Sequence, residues 1–341
     1  MTMRRFFASA AGVLAVMMAV SLTFLIPSGA VTEEAQQRYL DAAYEEEEGW
    51  DEATLPKPDA VLASAVFSDI LPAATVEALP IDLFAPGNTP IAANYTENGY
   101  RDDTIIVELE QQRMYDSDVF IAYVKIATPS QLRTAVAGQK ISSSSTSQTT
   151  TISKNYNGIV AINGDYFTKT KAGYIVRMGE TYREKTSQNM DLLLIDELGD
   201  FHIYLHGHDV QENGVASFLS EHEIINGFFF GPALVVDGEV QEIPENYQFD
   251  PHQKNPRAGI AQLGTLTYAL VVVNGRTDQS AGVTFAEFAD IMAQIGARQA
   301  YNLDGGNSAT LAFNGEVYND KPQAERSVTD IIYFASATAG E

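Results

Sequence analysis

The most constraining feature of this sequence is a strand, a loop, a helix and a second strand in succession between residues 268 and 313. The run YALVVV has the apolar density of a buried strand, and TFAEFADIMAQIG has the spacing of an amphipathic helix. Thr284 and Glu287 form a T-x-x-E capping box at the helix start, and Gly296 suits its end. The run AYNL then predicts the second strand.

A helix between two strands of this length predicts a right-handed parallel crossover. We therefore predict an α+β fold, with mixed β-sheets, packed helices and one parallel βαβ unit near the C-terminus. Both strands of such a unit end at the same sheet edge, where ligands bind in open α/β sheets. The side chains that we expect to meet there are Asn274, Arg276 and Asp278 after the first strand and Asp304 and Asn307 after the second.

Other segments predict hairpins and a loop. The pairs Asp237–Gly238 and Asn314–Gly315 favour type I′ turns because each lies between apolar, strand-like runs. The runs DTIIVELEQQRM and VFIAYVKIA together predict two paired strands. The uncharged run SSSSTSQTTT at 142–151 predicts a mobile loop.

The N-terminus predicts a targeting or membrane segment. Arg4 and Arg5 precede an uncharged apolar run at 6–26 that is long enough to span a bilayer. The arginines predict a cytoplasmic N-terminus and an extracytoplasmic remainder. The small residues of the following PSGA suit a cleavage site, so a cleaved signal and a membrane anchor both stay open. We divide the chain into a signal peptide or anchor (1–30), an acidic stalk or linker with an N-terminal extension (31–93) and a main domain (94–341).

The charge of the chain excludes some partners. The chain of 341 residues carries 45 Asp and Glu against 21 Lys and Arg, a formal net charge of -24. Because non-specific binding to nucleic acid requires excess positive charge, we predict no nucleic-acid partner. Phosphate would have to be recognised locally, by a few well-placed arginines. The absence of cysteine excludes thiolate catalysis and disulfides.

Four short polar segments recur beside apolar runs or an arginine, a pattern typical of binding loops. They are VAINGDYF (160–167), KNPRAGIAQ (254–262), NLDGGNSA (302–309) and AERSVTDIIYF (324–334). Arg257 and Arg326 stand in two of these segments, and Arg276 stands in the loop NGRTDQSAGV, so all three are in non-helical contexts. A guanidinium presents a rigid fork of donors that suits phosphate or carboxylate, so together they favour an anion site.

The order of these segments resembles the phosphodiester glycosidase family. The resemblance spans roughly 94–335 and rests on NGDYF, PRAGIA, the stretch from NGRTD to LDGGNSATL, and ERSVTDIIYF. It implies an extracytoplasmic hydrolase that removes a sugar, such as N-acetylglucosamine, from a sugar-1-phosphodiester in bacterial exopolysaccharide or cell-wall glycopolymer metabolism. Asp165 and Asn307 stand where the family commonly has glycine, which narrows the space for a substrate.

This reaction class gives the candidate residues their roles. The departing phosphodiester oxygen is weakly basic, so arginines that stabilise its charge can replace a strong general acid. A carboxylate near the anomeric carbon would stabilise positive charge or activate water. Asp304 is the first candidate for this catalytic carboxylate, followed by Asp165 and Asp278. The predicted substrate-binding residues are Asn163, Gly164, Arg257, Asn274, Arg276, Asn302, Gly305, Gly306, Asn307, Ser308 and Arg326.

Two other functions stay open at this point. One is a non-catalytic module that binds an anionic cell-envelope polymer, and the other is a phosphodiesterase that cuts the P–O bond. The sequence requires no cofactor, although Ca²⁺ or Mg²⁺ in the Asp-containing loops stays open. In HIYLHGH, His202, His206 and His208 would share one strand face, as metal ligands can. We favour a polar sheet face instead, because no carboxylate lies in that stretch.

Overall fold

Strands dominate the part of the chain that the computed structural model describes, which comprises residues 76–139, 141, 145–321 and 324–338. These residues fall in a single compact unit. Its α-helices are α1 (Thr149–Asn155), α2 (His208–Phe218) and α3 (Phe285–Gln294). Its strands are β1 (Tyr95–Thr96), β2 (Gly99–Arg101), β3 (Ile105–Met114), β4 (Ser117–Ile126), β5 (Leu132–Val136), β6 (Val160–Asn163), β7 (Gly173–Arg177), β8 (Glu180–Lys185), β9 (Leu192–Ile195), β10 (Phe201–Tyr204), β11 (Asn226–Phe229), β12 (Ala233–Val236), β13 (Glu239–Val240), β14 (Arg257–Gly264), β15 (Thr267–Val273), β16 (Gln299–Asn302), β17 (Leu311–Phe313), β18 (Glu316–Val317) and β19 (Asp330–Phe334).

The strands form three sheets. Sheet 1 has the order β1-β2-β3-β4-β15-β14-β16-β12-β13, sheet 2 the order β10-β9-β11-β7-β8, and sheet 3 the order β18-β17-β6-β19-β5. The main core lies between them, because Phe120 of sheet 1, Leu193 of sheet 2 and Ile162 of sheet 3 belong to one buried cluster. The other face of sheet 1 packs on α3.

The two-residue period of the strands explains how sheet 1 has two apolar faces. Along β4, Phe120 and Ala122 face the main core, whereas Val119 and Ile121 contact the cluster of α3. Strand side chains alternate between faces, so a continuous apolar run suits a strand that is covered on both sides. Packing on both faces holds the central strands of sheet 1 in place, and the polar loops follow the ends of these strands.

The predicted mixed sheets and parallel βαβ unit are wrong. Every strand pair in the described residues is antiparallel. β14 forms a hairpin with β15 and also pairs with β16, so it lies between the two strands that we expected to be neighbours. Because β15 and β16 are both antiparallel to β14, they still run in the same direction. Their following loops therefore emerge at the same sheet edge, as predicted.

The local turn and capping predictions are confirmed. Asp237–Gly238 connects β12 to β13, and Asn314–Gly315 connects β17 to β18, with all four residues at positive φ. Strands β3 and β4 pair along their whole length. The side chain of Thr284 accepts a hydrogen bond from the Glu287 backbone, and the Glu287 carboxylate accepts one from the Thr284 backbone.

The predicted loop at 142–151 is partly wrong, because α1 begins at Thr149, whose side chain is buried. Residues 142–144 lie outside the described residues. The helix packs on sheet 3 through Ile152. Threonine can occupy a helix when tertiary packing compensates for its modest helix propensity.

The predicted signal peptide or anchor (1–30) and residues up to 75 of the predicted linker lie outside the described residues. Within the described residues, no helix is both long enough and apolar enough to cross a membrane. The segment that begins at residue 76 is held by the buried Arg133. Its guanidinium donates to the backbone carbonyls of Pro80, Asp82 and Ala85.

Candidate active site

A cavity of about 370 Å³ opens at the edge of sheet 1 where β15 and β16 end. This volume is in the range of small-molecule sites. Eight residues of the predicted site line it, namely Arg257, Arg276, Asn302, Asp304, Gly305, Gly306, Asn307 and Arg326. Because these residues come from segments far apart in the sequence, the fold itself assembles the cavity.

Asp304 is the best-placed carboxylate of the predicted set. It follows β16, and its backbone is fixed on both sides: its N–H donates to the Gly164 carbonyl at 3.2 Å, and its carbonyl accepts from Asn163 Nδ2 at 2.7 Å. Burial raises the pKa of the Asp304 carboxyl to about 6, and the hydrogen bond from Ser308 and the charge of Arg326 oppose this rise. A carboxyl group with this pKa can gain or lose a proton near neutral pH.

Arg326 reaches Asp304 through Ser308. Its Nη1 lies 3.3 Å from the Ser308 hydroxyl, which in turn hydrogen-bonds the Asp304 carboxylate. Its Nη2 lies 3.3 Å from the Tyr166 hydroxyl, and the guanidinium stands over the Tyr166 ring at 5.2 Å. These contacts orient the guanidinium, and its charge acts on Asp304 without an ion pair to any carboxylate among the described residues.

Arg257 lies deeper in the cavity wall. Its Nε donates to the Val283 carbonyl at 3.1 Å, its Nη2 donates to the Gln253 carbonyl at 2.9 Å, and its guanidinium stacks 3.7 Å above the Phe285 ring. Burial and, to a lesser extent, the nearby positive charge of Arg276 lower the pKa of Arg257 to about 10, whereas the charge of Asp250 opposes this change. Its charge is therefore costly to bury and would be stabilised by an anion.

Arg276 is exposed at the rim of the cavity, in the left-handed backbone conformation with φ of 62°. Its Nη2 donates to Asn255 Oδ1 at 2.8 Å, and its Nη1 lies 3.4 Å from Asn307 Oδ1. Neutral amides thus hold this guanidinium. Within the described part of the chain, no carboxylate lies within ion-pair distance of Arg257, Arg276 or Arg326.

The two glycines after Asp304 are required by the backbone. A Cβ at Gly305 would lie 2.6 Å from the Pro256 carbonyl oxygen, and Gly306 has a φ of 58°. The Gly306 N–H donates to the same carbonyl at 2.8 Å. Glycine therefore lets this loop lie directly against the segment that leads into β14, where it forms one wall of the cavity.

Asn302 presents an unused acceptor at the cavity. Its Nδ2 donates to the Gly231 carbonyl at 2.8 Å, which fixes the orientation of the amide. Its Oδ1 is buried, lacks a hydrogen-bond partner and belongs to a residue of the cavity wall. Buried polar atoms are nearly always satisfied, so this oxygen is suited to a ligand that brings an O–H or N–H group.

Six predicted residues do not line the cavity. Ser308 acts through Asp304 and Arg326, and Asn163 and Gly164 hold the Asp304 backbone.

Asn274 is buried and exchanges amide hydrogen bonds with Asn319, whereas Asp278 is exposed on a loop. Asp165 is fully buried. Five of these six residues thus make contacts that support the fold, and Asp278 lies on the surface outside the cavity.

Asp165 belongs to a buried triad with Arg177 and Asp330. Arg177 Nη2 lies 2.7 Å from Asp165 Oδ1 and 2.8 Å from Asp330 Oδ2, and all three side chains are at most 1% exposed. Burial raises the pKa of Asp165 to about 6, and the Arg177 charge opposes the rise. The backbone N–H groups of Phe167 and Phe229 also donate to the Asp165 carboxylate. The Asp330 backbone accepts from Gly164, so the triad supports the loop below Asp304.

Sequence reasoning missed several residues of the site. Phe230, Phe249, Asp250 and Asn255 line the cavity, and Phe230 stacks on Phe249 with ring centroids 4.4 Å apart. Asn255 precedes Pro256 in the PRAGIA segment, which was a signal that could have identified it. The segment with Phe249 and Asp250 carries no comparable motif. Arg177 is the last residue of β7, and no motif in the sequence indicates its role.

Comparisons with known proteins bear on the fold and the family. The family model described as phosphodiester glycosidase matches residues 156–335, which is more than half of the chain. The catalytic domain of zebrafish N-acetylglucosamine-1-phosphodiester alpha-N-acetylglucosaminidase, solved in a form auto-inhibited by its pro-peptide, superimposes with a TM-score of 0.55 at 16% identity. That superposition covers 73% of this chain and 87% of that one. At this identity the likeness supports the fold alone.

Two further relatives carry no functional name. A hypothetical protein from Synechocystis has a TM-score of 0.47 at 18% identity, covering 68% of this chain and 62% of that one. The SPbeta prophage-derived uncharacterized protein YomE of Bacillus subtilis (strain 168) is 32% identical over 108 residues, which are 31% of this chain. The match spans 17% of the length of that curated relative. On the extent of the family-model match, and in agreement with the motifs in its sequence, the chain belongs to the phosphodiester glycosidase family.

Proposed function

We propose that this protein is an extracytoplasmic hydrolase that releases a sugar from a sugar-1-phosphodiester by cleaving the bond between the anomeric carbon and oxygen. One observation carries the proposal. Asp304, whose carboxyl pKa is raised to about 6, shares one cavity with three arginines, and among the described residues no carboxylate lies within ion-pair distance of any of them. Such a cavity offers a titrating carboxylate for the sugar and positive charge for the phosphate.

The arginines act on the phosphodiester. As the glycosidic bond breaks, negative charge grows on the departing oxygen, and donors fixed in advance stabilise that charge most effectively. Arg326 is oriented by Ser308 and Tyr166, and Arg276 by neutral amides. Both guanidinium groups therefore retain a net charge for the phosphate, and the buried Arg257 adds to the positive potential of the wall.

Asp304 acts at the anomeric carbon. In its ionised form the carboxylate stabilises the positive charge that develops on the sugar, or takes a proton from the attacking water. Asp250 also lines the cavity and is a second carboxylate for this chemistry. Enzymes that hydrolyse glycosidic bonds commonly use two carboxylates. The pH dependence of the reaction should therefore follow ionisation of Asp304.

Two groups of the wall are suited to the sugar. The buried Oδ1 of Asn302 accepts a hydrogen bond from a sugar hydroxyl or from the amide N–H of an acetamido group. The exposed ring of Phe249, which stacks on the buried Phe230, offers an apolar surface to the face of a sugar ring. An N-acetylated sugar would use both features, which agrees with the substrate named for the zebrafish relative.

The cellular setting of the proposal rests on the sequence. The charge-free run at 6–26 after two arginines supports an extracytoplasmic protein that is secreted or anchored to the membrane. Family resemblance supports a phosphodiester-linked sugar of exopolysaccharide or cell-wall glycopolymer as the substrate. The membrane is then a partner if the N-terminal segment remains attached.

Hydrolysis of the methyl phosphodiester of α-N-acetylglucosamine 1-phosphate in ¹⁸O-labelled water tests this function. We expect release of free sugar that carries the label, abolished by Asp304→Asn but retained in Asp278→Asn, a matched change of an exposed carboxylate outside the cavity. Label in the phosphate product would instead identify a phosphodiesterase. Tight binding of the diester without turnover would identify a non-catalytic binding module.

A further inference from the structure

A second cluster of titratable side chains lies outside the cavity. The predicted common face of His202, His206 and His208 is wrong, because β10 ends at Tyr204, His206 bonds Asp191 and His208 begins α2. His202 instead meets two residues from elsewhere in the chain. Asp196, His202 and His222, which we call the imidazole cluster, present three ligand atoms that all lie within 4.8 Å of one another.

Two separations within the imidazole cluster are close to those of a tetrahedral metal centre. Asp196 Oδ2 lies 2.9 Å from His202 Nε2 and 3.3 Å from His222 Nδ1. Two ligands bound at about 2.0–2.1 Å to a tetrahedral zinc ion lie about 3.3 Å from each other. The carboxylate of Asp196 is therefore near enough to each imidazole to share a metal ion with it.

The orientation of Asp196 leaves one oxygen for the histidines. Its Oδ1 accepts from the backbone N–H groups of Leu198 at 2.9 Å and Asp200 at 2.8 Å. Its Oδ2 faces both imidazoles. The orientation of this carboxylate therefore suits an oxygen ligand that is shared with the two imidazoles.

His222 supplies an independent indication of a ligand. Its Nδ1 is buried and makes no hydrogen bond, although Asp196 Oδ2 is only 3.3 Å away. A nitrogen and an oxygen at this distance without hydrogen-bond geometry can both direct lone pairs at a third atom. A neutral histidine ligand requires this arrangement, because its coordinating nitrogen carries no proton.

A second carboxylate lies beside the imidazole cluster. Glu197 Oε1 lies 3.5 Å from His222 Nδ1, and its Oε2 accepts from the backbone of Glu223 at 2.8 Å. Glu197 adds negative charge near the cluster but is not one of its mutually close ligand atoms. The ring of Phe218 packs 5.0 Å from the His202 ring and 5.4 Å from the His222 ring, which gives the site an apolar wall.

We propose that Asp196, His202 and His222 bind a divalent transition-metal ion of the zinc type. Imidazole nitrogen favours such ions over Ca²⁺ and Mg²⁺. The ion would tie the turn between β9 and β10 to the segment that follows α2. None of these residues lines the cavity, so the site is structural and independent of the proposed hydrolysis.

Calorimetric titration of the full chain with Zn²⁺ at neutral pH tests the site. We expect one ion per chain, a Zn²⁺-dependent rise in Tm, and the visible spectrum of tetrahedral cobalt when Co²⁺ replaces Zn²⁺. His222→Gln should weaken Zn²⁺ binding by at least about tenfold and remove the rise in Tm. His202→Gln, at a second partly exposed ligand, should do the same and serves if the first variant does not fold.

His208→Gln is the matched control, because His208 belongs to the other group of potential ligands, formed with the exposed Asp209 and Glu212. Its Zn²⁺ affinity should equal that of the unmodified chain. The proposal is overturned if no ion binds with defined stoichiometry, or if His222→Gln and His202→Gln bind as the parent does. Loss of binding in His208→Gln alone would place the ion in the exposed group and equally overturn it.

Discussion

Two neighbouring regions of this protein use aspartate and arginine in opposite ways. In the buried triad, one guanidinium of Arg177 is shared by the carboxylates of Asp165 and Asp330. In the cavity, Arg326 and Arg276 are held by hydroxyl and amide groups, and Asp304 contacts a serine. Burial raises the pKa of Asp165 and of Asp304 alike to about 6. The two regions therefore differ in the groups that their charges contact. Charges that pair with one another in the triad support the fold, whereas charges that are held by neutral groups in the cavity remain available to a ligand.

The largest expected effect is the loss of turnover when Asp304 of the cavity is replaced. Asp304→Asn should reduce turnover by about 10²–10⁴-fold, because the amide cannot accept a proton or carry charge at the anomeric carbon. The same variant should unfold at a Tm no lower than the parent's. Steady-state assays with the methyl phosphodiester and thermal melts measure both quantities. A folded Asp304→Asn variant with the turnover of the parent would show that Asp304 is not catalytic.

The second effect is a loss of stability when Arg177 of the buried triad is replaced. Arg177→Met leaves two carboxylates buried without their partner, so it should lower the free energy of unfolding by about 3–5 kcal/mol. Arg113→Met is the control, since its ion pair with Asp118 is exposed and should contribute less than about 1 kcal/mol. Urea unfolding of the two variants gives the values. Equal losses would show that the triad is no more structural than a surface pair.

The third effect concerns the cavity arginines. Arg326→Met should reduce kcat/KM by about 10²–10³-fold, because it removes a charge aimed at the departing phosphate. Its free energy of unfolding should stay near that of the parent, unlike that of Arg177→Met. Inorganic phosphate, titrated as a competitive inhibitor, should bind the variant more weakly. Unchanged inhibition by phosphate would contradict an anion site at Arg326.

The smallest effect is a pH-dependent gain in stability. Asp304 has a folded-state pKa above its unfolded value, so its contribution to stability is present below about pH 4 and is lost as pH rises through about 6. Asp304→Asn should therefore be more stable than the parent at pH 7, by about 1–3 kcal/mol. The difference should disappear below pH 4. Unfolding curves at both pH values check the sign, and a variant that is less stable at pH 7 would contradict it.

Sequence predicted most of the local structure. The capping box at Thr284, the hairpin turns and the paired strands β3 and β4 depend on residues close to one another in the chain. The insertion of β14 between β15 and β16 depends on pairing between distant segments, which local propensity does not encode. The prediction that both loops share an edge survived, because strand direction is retained whether or not the two strands are neighbours.

Sequence also predicted the main residues that meet in the cavity, including Asp304 and the three arginines. The sequence does not distinguish the residues that can contact a ligand from the residues that hold the surrounding loops in place. Asn274 and Asn302 each stand at a strand end in a polar segment, yet Asn274 exchanges hydrogen bonds with Asn319 and Asn302 leaves an acceptor at the cavity. The partner of each amide comes from a distant segment, so only the folded chain separates these two roles.

The amide contacts at the rim have a consequence for the cavity entrance. Arg276 is held by Asn255 and Asn307, which use neutral side chains near the protein surface. The Asp304 backbone, by contrast, is held from within by Asn163. Substitutions at Asn255 or Asn307 would therefore alter the orientation of Arg276 while leaving the contacts of the Asp304 backbone in place. The entrance of the cavity and the loop that carries its carboxylate can thus vary independently of each other.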